Sequence, residues 1–200
     1  MNILFGIDYG SRHTGNTVIA ILNEDSNIVF MKVDKNVDAD RFIYNAVAHF
    51  KPSLVFMDCP LSIPGVYTKI PHCTNYHLRK ADQELRAMSP MFLGGMVARA
   101  MELCNEIKTM DFECKVVETY PKILALQLGL KAKGYKGSNV GLKNCKKLMS
   151  AHLNEKLNID FDEIKTWHHF DALLALLSAI RHRDSKSDVF GLEEEGLIIV

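Results

Sequence analysis

Three short apolar runs, each finishing at or beside an acid, constrain this chain more than any other feature of its sequence. Residues 2–8 read NILFGID, 53–58 read SLVFMD and 114–119 read CKVVET. Their length and apolar, β-branched character predict strands. Asp8 and Asp58 close the first two, and Glu118 sits at the end of the third. Near-continuous apolarity implies burial on both faces, as in the parallel strands of an α/β sheet. Parallel strands open their carboxyl ends onto one edge, where α/β sheets take their ligands. An acid at that edge must leave the core, meet a partner or bind a cation, because an unpaired buried carboxylate is costly.

The segments between the runs predict the rest of the fold. Residues 17–22 (TVIAIL) and 28–33 (IVFMKV), separated by the turn-like NEDSN, extend the first strand into an antiparallel meander. Asp38 or Asp40 can cap a helix in which Phe42, Ile43, Ala46, Val47 and Phe50 recur at helical spacing, with Pro52 as its stop. Helical periodicity returns over 77–88, 91–110, 144–157 and 166–183, before a last apolar stretch, GLIIV. The expectation is an α/β fold: a mixed five-stranded sheet with helices on both faces. At 200 residues and 48% hydrophobic, without linker or repeat, the chain suits one domain over residues 1–200.

The last helix, WHHFDALLALLSAIRHR, adds a fourth acid. Asp171, Ala175, Ser178 and His182 share one stripe, so small residues allow close approach to the sheet while Asp171 presents a carboxylate there. The alternative is an acid that merely favours the first helical turn. Four acids at matching element ends support a metal site better than any one alone. Hard oxygen donors without a His/Cys pattern point to Mg2+ or Mn2+. His72, Cys73 and His77, with Cys59, fit no zinc-finger spacing.

Net charge is zero, yet residues 119–154 contain no Asp or Glu and carry Lys122, Lys131, Lys133, Lys136, Lys143, Lys146 and Lys147. Such a segment is either a solvated lysine face or a surface for phosphates. Five scattered cysteines without a CxxC pair fit free thiols. No apolar run reaches membrane-helix length and the first residues lack signal-peptide character, so the expected setting is the cytoplasm, away from membranes.

GIDYGSRHTGNTVIA at 6–20 resembles the opening of RuvC-type and YqgF-type resolvase-like proteins. More of the chain resembles the family called domain of unknown function 429, predicted RNase H-like nucleases. The matching segments are MDCPLSIP (57–64), RKADQELR (79–86), VVETYP (116–121), GYKG (134–137), HFDALLALLSAI (169–180) and the terminal EEGLIIV. The resemblance implies an RNase H-like fold and places Asp8, Asp58, Glu118 and Asp171 at its acidic cluster, for two-metal-ion hydrolysis of nucleic acid. By the same resemblance Lys136, Arg79, Asp82 and Arg86 occupy the family's other polar motif positions, where contact with substrate is the expectation, and the resemblance to resolvases implies a homodimer by analogy. The chain departs from the pattern at Cys59-Pro60, where a small residue such as Ala is expected, and at His168-His169, where a further acid is expected. Two other functions fit the same residues. One is a nucleotide-binding regulator, since Asp8-Tyr-Gly-Ser with Gly15 resembles the phosphate turn of actin-like ATPases; the other is a binding module with a decayed site.

Overall fold

The computed structural model describes residues 3–153 and 157–200. Asn2 of the first expected strand and residues 154–156 of the expected 144–157 helix lie outside the described residues. β1 (Leu4–Asp8), β2 (Val18–Leu22) and β3 (Asn27–Lys32) form the antiparallel meander. α1 (Ala39–Phe50) then leads to β4 (Leu54–Asp58), which lies parallel to β1. Asp38 caps α1, accepting from the Asp40 and Arg41 amides. The long connection that follows holds α2 (Lys80–Leu85), α3 (Pro90–Leu93) and α4 (Gly95–Lys108), and ends in β5 (Lys115–Glu118), parallel to β4. α5 (Pro121–Gln127), α6 (Asn139–His152), β6 (Asn158–Ile159), α7 (Trp167–Arg183), β7 (Val189–Leu192) and β8 (Gly196–Ile199) complete the order.

The main sheet runs β5-β4-β1-β2-β3-β6, with β2 antiparallel to both neighbours. This is the mixed α/β architecture that the three acid-ended runs imply, with one added strand: two residues of β6 pair with the start of β3. The terminal apolar stretch joins no main-sheet strand and instead pairs with β7 in a two-stranded ribbon. The helix expected over 77–88 is one short turn and a half, and that over 91–110 is broken at Gly94, whose φ of 47° a side chain disfavours. α5 was not among the expected helices, although Pro121 sits at its first turn, where a missing N–H costs nothing. Among the described residues no helix is long and apolar enough to cross a membrane.

Two cores lie on the two faces of the sheet. Phe5, Ile7, Val55 and Met57 face α1 and α4, which contribute Ile43, Val47, Leu103 and Ile107. Leu4, Val18, Ala20, Leu54 and Phe56 face α7, backed by α5 and α6. Each such fully buried side chain contributes about 1.5–3 kcal/mol. α7 is buried nearly all round, from His169 to Ala179, and so reads as a central helix. Its approach is set by Gly6: a Cβ there would sit 2.0 Å from the Leu176 amide nitrogen and 2.4 Å from the Ala172 carbonyl oxygen. Only glycine lets the helix backbone rest on β1, and that contact brings the first turns of α7 to the carboxyl end of the sheet.

Candidate metal centre

Strand register decides which acids meet. In the parallel pairs Asp8 lies opposite Asp58, whereas Glu118 lies opposite Met57. Side chains alternate between faces, and residues in register share a face. Asp8 and Asp58 therefore point to the α7 side, and Glu118 to the other. Asp171 comes down from α7 onto the first two. Asp8, Asp58 and Asp171 each offer a carboxylate oxygen, and these atoms all lie within 4.8 Å of one another.

The three acids are poorly compensated by the protein alone. Burial, then the charges of Asp8 and Asp171, push the Asp58 carboxyl well above the usual carboxylate range. Burial raises Asp171 too, against the pull of Lys136 and the Tyr135 hydroxyl. His168 bonds Asp8 Oδ2 through Nδ1 at 2.7 Å. That bond, outweighing burial, raises the imidazole pKa. Tyr135 donates its hydroxyl to Asp171 Oδ1, and the Lys136 ammonium pairs with Asp171 Oδ2. Burial works against the charged lysine, but Asp171, Asp58 and Asp8 outweigh it and hold its pKa high.

Tyr135 and Lys136 reach Asp171 because their loop is tied to α7. Trp167 meets the Tyr135 ring edge-on at 5.4 Å and donates Nε1–H to the Gly137 carbonyl at 2.9 Å. From behind, Gly141 of α6 packs on the Gly134 carbonyl so closely that a Cβ would lie 2.3 Å from it.

Glu118 is engaged elsewhere. Arg79 donates from Nη1 and Nη2 to its two oxygens, both at 2.6 Å, and Leu61 N–H adds a third bond at 2.8 Å. The same guanidinium bonds both Asp82 oxygens, at 2.7 and 3.0 Å, and Ser62 Oγ at 2.7 Å. All five of its N–H groups are used. Arg79, Asp82 and Glu118 are 0%, 1% and 5% exposed. Burial raises Glu118, with Arg79 opposing.

The eight positions singled out in the sequence thus separate into three groups. Asp8, Asp58 and Asp171 converge, with Lys136 on Asp171. Glu118, Arg79 and Asp82 form a buried ion knot, in which Arg79 is fully enclosed and Asp82 is 1% exposed. Arg86 stands exposed at the end of α2. His168 sits where the family pattern leads one to expect an acid, and Tyr135 was signalled only by the GYKG segment. Of the other weighed residues, His72 pairs with Glu194 at 3.3 Å, and all five cysteines are free thiols.

The donor set fits a hard divalent cation: three carboxylates, no thiolate, and surplus negative charge in a partly dry setting. Asp58 and Lys136 also line two adjoining cavities, of about 350 and 570 Å³, so the cluster is reachable from solvent. A larger cavity of about 890 Å³ lies along α4 and contains none of these acids.

By strand order and pairing the fold is RNase H-like. Among solved structures the chain is similar to T. thermophilus RuvC in complex with a Holliday junction substrate, at 12% identity, TM-score 0.47, covering 92% of this chain and 97% of that one. It is also similar to a second Thermus thermophilus RuvC structure, at 11% identity, TM-score 0.41, with 91% and 96% covered. No protein-family profile and no curated protein matches the chain.

Proposed function

We propose that the chain is a divalent-metal-dependent phosphodiesterase acting on nucleic acid, a nuclease of the RNase H-like type, in which Asp8, Asp58 and Asp171 hold Mg2+ or Mn2+. The observation that carries this reading is the meeting of three carboxylates, distant in sequence, within 4.8 Å at one sheet edge. Three acids suit one cation; a two-ion site would also call on Glu118, whose oxygens Arg79 occupies. A bound cation would supply charge stabilisation at a phosphoryl oxygen and a more acidic water. The chain's own groups do the rest. Tyr135 fixes the Asp171 carboxylate by its hydroxyl bond. His168 holds a proton against Asp8. Lys136 offsets negative charge beside Asp171.

The test is cleavage of labelled single-stranded, duplex, hybrid and branched nucleic acids with Mn2+. Asp8→Asn should lower the rate on the order of 10³-fold or more while leaving the circular dichroism spectrum intact. No cleavage of any substrate, together with no Mn2+ binding by calorimetry, would overturn the reading. If ATP then raised Tm while nucleic acid did nothing, a nucleotide-binding regulator would replace it.

A further inference from the structure

Lys136 is occupied by Asp171, so the proposed site needs other groups to hold a substrate's phosphates. Arg86 follows α2, Lys122 lies in the first turn of α5, and Lys131 lies in the 3-10 turn Leu130–Lys133. All three are exposed, and among the described residues none is ion-paired. They line the cavity of about 570 Å³ that Asp58 also lines. Together with Lys136 these cations outnumber Asp58 on the cavity wall and raise the local concentration of anions there.

Apart from Asp58, Tyr135 and Lys136 of the acid cluster, the rest of the wall is largely apolar. Tyr120, Ile123 and Leu126 line the same cavity, with Leu126 44% exposed and Lys122 Nζ 5.8 Å from the Tyr120 ring centroid. A bare phosphate has no use for such a surface, whereas a nucleotide offers both an anion and a flat apolar base. The volume lies in the range of small-ligand pockets, about 300–1,000 Å³. A base still stacked in a duplex has no free face to present, so entry requires an unpaired nucleotide.

We propose that this cavity is a nucleotide subsite. It takes one unpaired nucleotide beside the phosphodiester at Asp58, with phosphate on Arg86, Lys122 and Lys131 and base against Tyr120, Ile123 and Leu126. It rests on the phosphodiesterase reading and narrows the substrate to single strands or strands with unpaired ends.

Fluorescence anisotropy with a short fluorescein-labelled single strand, as DNA and as RNA, tests this on the full chain with Ca2+ in place of Mn2+. Lys122→Glu/Lys131→Glu should weaken binding about tenfold or more and flatten the slope of log K against log salt by about 1.4, from two lost phosphate contacts. Lys143→Glu/Lys147→Glu on α6, the same charge change on exposed residues, should cost under about threefold at physiological salt. An abasic strand with the same phosphates should bind the wild type about fivefold or more weakly. The subsite is overturned if the cavity pair and the α6 pair weaken binding equally, if the abasic strand binds as tightly, or if duplex binds as tightly as single strand. Wild-type cleavage with Mn2+ is read separately. Cleavage without the binding pattern removes the subsite alone, and the binding pattern with neither cleavage nor Mn2+ binding removes the phosphodiesterase reading alone.

Discussion

Two buried acid clusters lie near the same edge of the sheet and are treated in opposite ways. Around Arg79, two carboxylates share one guanidinium whose five N–H groups are all bonded, with Ser62 and the Leu61 amide completing the set. Around Asp58, three carboxylates share a half-exposed lysine and a histidine that reach in from the rim. The first cluster is complete within the chain and can serve as structure. The second remains short of positive charge and stays accessible, which is the condition for taking a cation from solution. Acid count alone does not separate a binding site from a strut; the number of satisfied donors does.

The contrast can be broken most sharply at Arg79. Arg79→Met leaves two buried carboxylates without their cation and should cost about 3–5 kcal/mol, lowering Tm by about 10 °C. Glu118→Gln and Asp82→Asn added to it should recover part of that loss in thermal melts. Full stability in the single variant would mean that the knot is no strut.

Asp40 gives a second fully paired site, held by the Tyr9 hydroxyl at 2.6 Å, Arg99 at 2.7 and 2.9 Å, and Arg12. Burial raises its carboxyl, but Arg99 and Tyr9 dominate and hold it below the ordinary value. A depressed folded pKa contributes stability above the unfolded pKa, lost as pH falls through the folded one. Asp40→Asn should therefore cost about 2 kcal/mol at pH 7 and flatten the acid limb below about pH 4. Urea unfolding at several pH values reads both.

The opposite sign is expected at the open cluster. Asp58→Asn removes like-charge repulsion and should raise Tm by about 2–4 °C in EDTA, a gain of about 1 kcal/mol. Mn2+ should raise the Tm of the wild type and leave that of this variant unchanged. A fall in Tm in EDTA would show that Asp58 is satisfied within the chain, as Glu118 is.

A comparable effect concerns Lys136, which pairs with Asp171 where a cation would sit. Lys136→Gln should tighten Mn2+ binding about three- to tenfold in calorimetry, because a competing positive charge is gone. Weaker binding would make the lysine a supporter of the metal and not its rival.

Much of this arrangement is legible in the sequence. The meander, β4, β5 and the span of α7 follow from apolar runs, turn residues and helical periodicity, which are local properties of the chain. So does the presence of acids at the ends of β1, β4 and β5. α5 escaped because seven residues carry too little periodicity, and β6 because two residues have no strand signature without the neighbour they pair with. The break at Gly94 was hidden inside a longer helical pattern.

What the sequence determined by itself is the set of elements and the acids at their ends, since hydrophobic spacing and backbone preference act over a few residues. Which acids meet was decided only in three dimensions. Glu118 is paired in register with Met57, so the two-residue alternation of a strand turns it from Asp8 and Asp58 toward Arg79. Asp171 enters instead because Gly6, more than a hundred positions away, leaves room for the α7 backbone. Register and close approach depend on partners remote along the chain, and no local pattern records them.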